Sequence, residues 1–553
     1  YKVTGVQTCA LPILMITQFD KDYVEELGLI KLDLLCLRTL SAVEDSIELI
    51  REKDSSFDYD EIPLSDKPTY EMLNKGETIG VFQLESPAQR ALQTRLQADH
   101  FEDIVASVAL IRPGPIEGNM VEPYIARRSG NEPVTFLHPK LKPILEKTYG
   151  VVLFQEQVIQ IATAIAGFTP GESDRLRRVM THKRSRKDME AIGREFIERA
   201  VANGVDEEVA STIFSYIQGY AGYGFCEAHA AAFADTAYKT AYLIRHYPAQ
   251  FYAAILSNQP MGYYSPATIA VEAKRRGVSV LPVDINLSQK KFTVEGNSAI
   301  RTSLMMVKGM TEEAADSIVN ARRKRKFTSF QDFCLRTDVD SDIVENLVLC
   351  GAFDSLHSNR RQLAWDMPKI LEVCRRWKKE FGSPILSDDN PKDLLGDYIQ
   401  IQSSFAAEQV QDFDPIEKFK LEFNILGMIT GSHLMQFYRP FMKSQRILST
   451  KEAAAMPDGK HVRVAGVVVR PHRPPTKSGR TVVFLSLEDE FGLIDVTIFE
   501  NIYQQYGHII FGKPALVITG RIQRRGSGIS IVGSAIEALP TIKQIGKMLN
   551  RKS

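Results

Sequence analysis

ELGLIKLDLLCLRTL, residues 26–40, sets Asp33 inside an otherwise apolar run, two positions after Lys31. The run reads as a short strand around Leu29 to Leu35. Side chains alternate along a strand, so Lys31 and Asp33 share one face. A carboxylate in apolar surroundings costs free energy unless a cation offsets it, which implies a metal ion or the neighbouring lysine. That arrangement could aim an acid at a metal and a cation at a phosphate. Taken on this segment alone, an acid that caps the next helix or pairs with Arg38 is the simpler reading.

Downstream, Ser41 and Glu44 have the spacing of a capping box, and Val43, Ile47 and Ile50 recur at helical spacing, which predicts a helix from Ser41 to Lys53. Residues 68–290 alternate helical stretches with Pro/Gly punctuation at RPGP (112–115), FTPGES (168–173) and NQPMGYYSP (258–266), the pattern of a large, mostly helical block. Two short helix pairs follow, TEEAADSIVNARRKRK (311–326) and SDIVENLVLCGAF (341–353), each with a glycine-containing turn. From 357 to 456 the pattern weakens: SPILSDDNPKD (383–393) reads as a linker and FDPIEKFKLEFNIL (413–426) as an amphipathic helix. After Gly459 the texture becomes β, with HVRVAGVVV, TVVFLSLEDE, GLIDVTIF, ALVITGRIQRR and GISIVG predicting five strands of an OB-type barrel.

The chain has 553 residues, more than one hydrophobic core usually supports, so several domains are expected. Lys+Arg 68 balance Asp+Glu 68, so a polyanion must be met by local basic patches rather than by net charge. Six scattered cysteines, without a Cys-x-x-Cys pair, disfavour a disulfide framework and a zinc site and fit a reducing cytoplasm. No apolar run is long enough to span a bilayer, and no membrane role is expected. Residues 1–14 lack a signal-peptide cleavage pattern and do not begin with Met; they are read as a truncated or joined end and set aside.

The string LGLIKLDLLCLRTL resembles the palm strand of the bacterial polymerase III alpha subunit family of C-family DNA polymerases. TIGVFQLES (78–86), VALIRPGPIEGNMV (108–121), EKTYGVVLFQEQV (146–158), DRLRRVM (174–180) and GYGFCEAHAAAFA (222–234) keep the family's order and spacing. The resemblance implies a multidomain α+β chain: a non-family segment at 1–14, the end of a palm at 15–38, helical fingers at 39–290, and a tandem helix-hairpin-helix at 291–356. Connecting helices at 357–458, an OB-type domain at 459–541 and a basic tail at 542–553 complete it.

It also implies template-dependent addition of deoxynucleoside triphosphates to a primer, with two Mg²⁺ ions held by three carboxylates. Asp33 matches the third of these and is the metal ligand expected here, with Lys31 beside it; the other two belong to an upstream D-x-D element that this chain lacks. The fragment is therefore expected to be inactive alone. DVD at 338–340 reads as a solvated turn.

Arg177 and Arg178 match paired finger arginines that approach the triphosphate, a role suited to bidentate guanidinium groups. Arg112, in RPGP, and Tyr223 and His229, in GYGFCEAHAAAF, are expected near the nucleotide, although a buried structural histidine is the commoner fate of such a residue. Glu227 stands where many relatives carry Lys, which would weaken a phosphate contact, and Cys36 where Gly is usual.

For DNA, Lys183 and Arg184 are expected on the template backbone, and Lys308 and Gly309 of the VKGM turn on a phosphate through backbone N–H groups. Arg322 and Arg323, in RRKRK, would add salt-dependent affinity. In the β module Lys477, Arg480, Arg521 and Arg524 would line a groove, with Phe484 or Phe499 as stacking platforms. A barrel that only braces its neighbours is the alternative.

The stretch YAAILSNQPMGYYSPATIAVEAKRRGVSVLPVDIN (252–286) resembles the error-prone, damage-bypass branch, and only the tail 542–553 follows the barrel. The replicative subunit and a non-catalytic scaffold on primer-template DNA are the other readings. The sliding clamp and other damage-bypass proteins are implied partners, although QLAWDM (362–367) is a poor clamp peptide.

Overall fold

The computed structural model describes residues 19–20, 23–24, 27–30, 37–111, 120–181, 186–220, 225–381, 410–474, 479–541 and 544. The segment with Lys31 and Asp33 lies outside these residues, as do Arg112, Lys183, Arg184, Tyr223, Lys477 and the 383–393 linker. Helices of five residues or more and all strands are numbered in chain order.

Helix α1 (Arg38–Arg51) carries the expected stripe, burying Val43, Ile47 and Ile50, but begins three residues before Ser41, with Leu37 at its N-cap and no side-chain cap. The capping-box reading is thus corrected: Ala42, Val43 and Ser46 are also buried, and packing rather than a local cap sets the start. Helices α2 (Lys67–Asn74) and α3 (Pro87–Leu96) each follow a capping acceptor with a proline in the first turn; Asp66 accepts from Thr69 N and Ser86 from Gln89 N.

Helices α4 (Phe101–Leu110), α5 (Val121–Arg128), α6 (Gln155–Ala166), α7 (Pro170–Thr181), α8 (Arg186–Ala202) and α9 (Glu207–Tyr220) lead to the 20-residue α10 (Glu227–His246). The face of α10 bearing Ala230, Ala234, Ala237 and Ala241 is fully buried, and these small side chains let α4 pack closely against it. Helices α11 (Pro248–Ser257) and α12 (Pro266–Arg275) complete this block.

A small sheet follows that the sequence reading passed over. In it β1 (Ser279–Leu281) runs parallel to β3 (Ala299–Arg301), and β2 (Thr293–Glu295) antiparallel to it. Where two helix pairs are expected, residues 311–326 and 341–353 each hold a single helix, α13 (Glu312–Lys324) and α15 (Ser341–Leu349), with α14 (Phe330–Arg336) between them, and the three wrap around Phe327, Phe330, Phe333 and Phe353. Where the pattern weakens lies the 22-residue α16 (Arg360–Phe381), then α17 (Pro415–Leu426), α18 (Leu434–Ser444) and α19 (Thr450–Ala454).

The last module is a closed barrel. Strands β4 (His461–His472), β5 (Val482–Asp489), β6 (Gly492–Phe499), β7 (Ala515–Arg525) and β8 (Gly528–Ala538) pair in the order β4-β5-β6-β8-β7, β6 parallel to β8 and all other neighbours antiparallel. Helix α20 (Glu500–Gly512) joins β6 to β7, and Val464, Leu487, Ile498, Ile518 and Ile531 fill the interior.

The barrel is docked on the helical block. Arg90 of α3 reaches Asp495 at 3.5 Å, and Arg470 lies over the Tyr263 ring at 4.3 Å. At the β7–β8 turn, Ser527 donates to Asn74 O at 2.9 Å, and Gly526, at φ +62°, approaches so closely that a Cβ would lie 2.5 Å from Thr94 O. Only glycine meets both demands.

A candidate active-site cleft

Five distant stretches converge on a cleft of about 860 Å³: the start of α1 with Leu37 and Arg38, the turn at 80–86 with the head of α3, the end of α4, the head of α10, and the 260–263 loop. Ile111 and Phe225 also line it. Clefts of this size suit a nucleotide-sized ligand.

One wall is aromatic. His229 is exposed in the cleft, with its ring 4.1 Å from that of Phe233 and 5.2 Å from that of Phe225; Phe82 meets Phe233 at 5.2 Å. The expected histidine is therefore presented to the cleft and not buried in the core. Across it, Arg38 donates to Gln259 O at 3.1 Å, tying the start of α1 to the 258–263 loop.

The carboxylate of Glu85 accepts from Gly80 N at 3.0 Å and from Tyr263 N, and its burial pushes its pKa up against these bonds. It fixes the cleft wall. No local pattern in TIGVFQLES announces this, because the bond to Tyr263 spans the chain.

The head of α10 is held by QEQ (155–157). Phe154 and Phe225 form a parallel bridge, Gln155 N donates to Phe225 O at 2.9 Å, and Glu156 accepts from Glu227 N at 3.0 Å. Gln157 accepts from Leu153 N and Phe154 N and donates to Thr148 Oγ1. The Glu227 side chain meets Lys147 at 2.5 Å.

Of the two predicted nucleotide-binding residues whose side chains are described, His229 lines the cleft and Arg177 does not; Arg177 is on α7, its Nε donating to Asp174 at 2.8 Å. Arg178 belongs to the same helix, its side chain outside the described residues.

Among the predicted DNA ligands, Lys308 is exposed and Gly309 turns the chain at φ +82°, but Lys308 N already donates to Ile425 O and Met310 N to Val307 O. Arg322 requires a correction: it is buried and donates to Ile285 O at 2.7 Å and to Ser288 O, bracing the turn after β1 instead of facing a phosphate. Its neighbour Arg323 is exposed. In the barrel Arg480 and Arg521 are exposed, while Arg524 donates to Ala454 O at 2.6 Å and Met456 O at 2.9 Å, pinning α19 to β7.

Among the described residues, one group has metal-ligand spacing, Asp99, His100 and Asp103. Arg128 engages both its acids, meeting Asp103 at 2.6 Å and Asp99 at 3.0 Å, and none of the three lines the cleft. It reads as an ion-pair network.

Residues 39–204 match the family model of the bacterial DNA polymerase III alpha subunit finger domain, 277–363 that of a helix-hairpin-helix motif, and 462–539 that of an OB-fold nucleic acid binding domain. The chain is 55% identical to a protein named Error-prone DNA polymerase from Symbiobacterium thermophilum, over 95% of this chain and 51% of that one. It is 34% identical to proteins of that name from Anaeromyxobacter dehalogenans (98% of this chain, 47% of the relative) and Pseudomonas syringae pv. tomato (94% and 49%). The chain thus spans about half the length of the curated relatives it matches. A solved structure titled "Structure of RecG bound to three-way DNA junction" matches at 16% identity and TM-score 0.15 over 40% of this chain and 32% of that chain, too low to bear on the fold.

Proposed function

We infer, for a chain that belongs through its finger domain to the bacterial DNA polymerase III alpha subunit family, that the whole protein is a DNA-directed DNA polymerase of the error-prone, damage-bypass branch. The observation that carries this reading is the nucleotide-sized cleft between the start of α1 and the head of α10, in a chain that also carries helix-hairpin-helix and OB modules. Leu37, the first described residue after the segment that holds Lys31 and Asp33, lines that cleft; so does Ile111, which precedes Arg112. The names of the relatives favour the error-prone branch over the replicative subunit.

In this reading deoxynucleoside triphosphates enter the cleft, the aromatic wall around His229 packs against the nascent base pair, and Arg177, Arg178 and Arg112 serve the triphosphate. Lys308, Gly309 and Arg323 hold duplex DNA, with Lys183 and Arg184 on the template. Two Mg²⁺ ions, when bound, would activate the primer hydroxyl and neutralise the triphosphate. Glu85, the acid among the described residues that line the cleft, and the Asp99–Asp103 pair do not fit such ions: Glu85 is occupied by backbone amides, and Asp99 and Asp103 by Arg128. We assign the metal to Asp33 on the family resemblance, together with two acids outside this chain. A cytoplasmic setting, the sliding clamp and other damage-bypass proteins belong to the same proposal; among the described residues no helix is long and apolar enough to cross a membrane.

Template-directed primer extension by the whole protein is the test. Incorporation that follows the template base supports the polymerase; tight primer-template binding without incorporation would favour the scaffold.

A further inference from the structure

The turn at 80–86 holds one residue in a costly conformation. Leu84 N closes the turn onto Val81 O at 3.3 Å and Phe82 O at 2.8 Å, and Gln83 stands between them at φ +61°. Such a left-handed turn position normally goes to glycine or asparagine, and a glutamine there costs free energy. The surroundings enforce it. Val81 and Leu84 are fully buried, Phe82 N donates to Thr240 Oγ1 at 3.2 Å, and Thr78 Oγ1 donates to Leu84 O at 2.5 Å. The Gln83 side chain is exposed at the tip of the turn, where it lines the cleft.

Neighbouring polar side chains of the cleft are committed. Arg38 donates to Gln259 O, Glu85 accepts from Gly80 N and Tyr263 N, Ser86 caps α3, and Gln89 Nε2 donates to Ser107 O at 3.0 Å. Among the described residues the Gln83 amide has no hydrogen-bond partner. It directly follows Phe82, whose ring joins the aromatic wall through Phe233. Rings take the flat of a base, and an amide beside them offers hydrogen bonds to its edge.

We propose that Gln83 is a specificity-determining residue of this cleft: its amide N–H donates to the minor-groove edge of the incoming nucleotide's base, at purine N3 or pyrimidine O2. These acceptors stand at the same edge of every Watson–Crick pair, so one donor serves all four bases. A mispaired base displaces its acceptor and loses the bond. The amide is neutral, which suits a base edge, whereas a triphosphate calls for cations. A glycine at this position would relax the turn but carry no donor, so the strain is the cost of the contact. The assignment rests on the polymerase reading of the cleft.

The test is single-nucleotide insertion by the whole protein opposite a template thymine, with dATP and with 3-deaza-dATP, which keeps the Watson–Crick edge and lacks the N3 acceptor. Wild type uses the analogue about tenfold less efficiently in kcat/KM, the scale of one hydrogen bond. Gln83→Ala loses about tenfold with dATP and no longer distinguishes the two nucleotides. Gln83→Gly shows the same kinetic loss together with a higher midpoint of urea unfolding, because it relieves the backbone; a glutamine kept only for structure would not separate these readouts. Wild-type dATP efficiency in Gln83→Ala overturns the proposal, as does a lowered unfolding midpoint in Gln83→Gly. Equal use of both nucleotides by wild type also overturns it, since the contact would then lie elsewhere on the nucleotide. Absence of any insertion by wild type sinks the polymerase reading and this assignment with it, whereas insertion indifferent to residue 83 sinks this assignment alone.

Discussion

Lys147 Nζ stands 2.5 Å from Glu227 Oε1, at the head of the helix that carries His229 into the cleft. This acid is thus matched by a cation from another segment. Both side chains are partly exposed, at 51% and 32%, so screening limits the pair to less than about 1 kcal/mol. A double-mutant cycle with Lys147→Met and Glu227→Gln should return a coupling below that value in urea denaturation. Glu227→Lys should repel Lys147, and the exchanged pair Lys147→Glu with Glu227→Lys should recover stability.

Asp103 is buried, and Arg128 grips it through Nε at 2.6 Å, fastening α4, whose end lines the cleft at Val108, to α5. Asp103→Ala leaves a nearly buried guanidinium with only the exposed Asp99 and the Leu96 carbonyl as partners. The expected loss is about 3–5 kcal/mol in denaturant unfolding, the scale for breaking one side of a buried pair. Arg95→Ala, which removes the more exposed pair with Glu122, should cost less than about 1 kcal/mol.

Lys274 donates to three successive carbonyls, Ile429, Thr430 and Gly431, joining α12 to the segment before the barrel. Burial pushes its pKa down to about 8, against the attraction of Glu422. Between pH 8 and about 10.4, the free-lysine value, the unfolded chain therefore holds more protons than the folded one, and stability rises with pH. The cost of the buried charge is fully present below pH 8 and is relieved across that window. Unfolding free energies of wild type and Lys274→Met at pH 7.5 and 10 should show wild type gaining on the variant by up to about 3 kcal/mol.

Gly526→Ala should loosen the barrel from the helical block. The left-handed φ of +62° opposes a side chain, and the new Cβ would press on Thr94 O. The expected outcome is faster proteolysis between the barrel and the helices, with the barrel's own unfolding unchanged.

These features were unequally legible in the sequence. The barrel was readable strand by strand because β-branched runs alternate between glycine and proline breaks, whereas helix α20 and the parallel β6–β8 pair were not read from the sequence. Strands β1 to β3 have three residues each, too few for alternation to register. Helix α16 contains Pro368, which reads as a breaker although it lies within the helix. Arg322 sits in a run of cations that suggests a solvated face, yet it folds inward to two carbonyls. The cleft had no local signature at all. Arg38 and Gln259, Glu85 and Tyr263, Glu156 and Glu227 meet across large separations, so their pairing is a property of the fold.

The most direct measurement is the primer-extension rate of the whole protein with Asp33→Asn, with primer-template affinity recorded in parallel. Loss of the carboxylate proposed to bind metal should slow extension by about a hundredfold or more while DNA affinity is kept, the scale on which removing one preorganised charge-stabilising group acts. Extension at the wild-type rate by a well-folded Asp33→Asn protein would contradict the account.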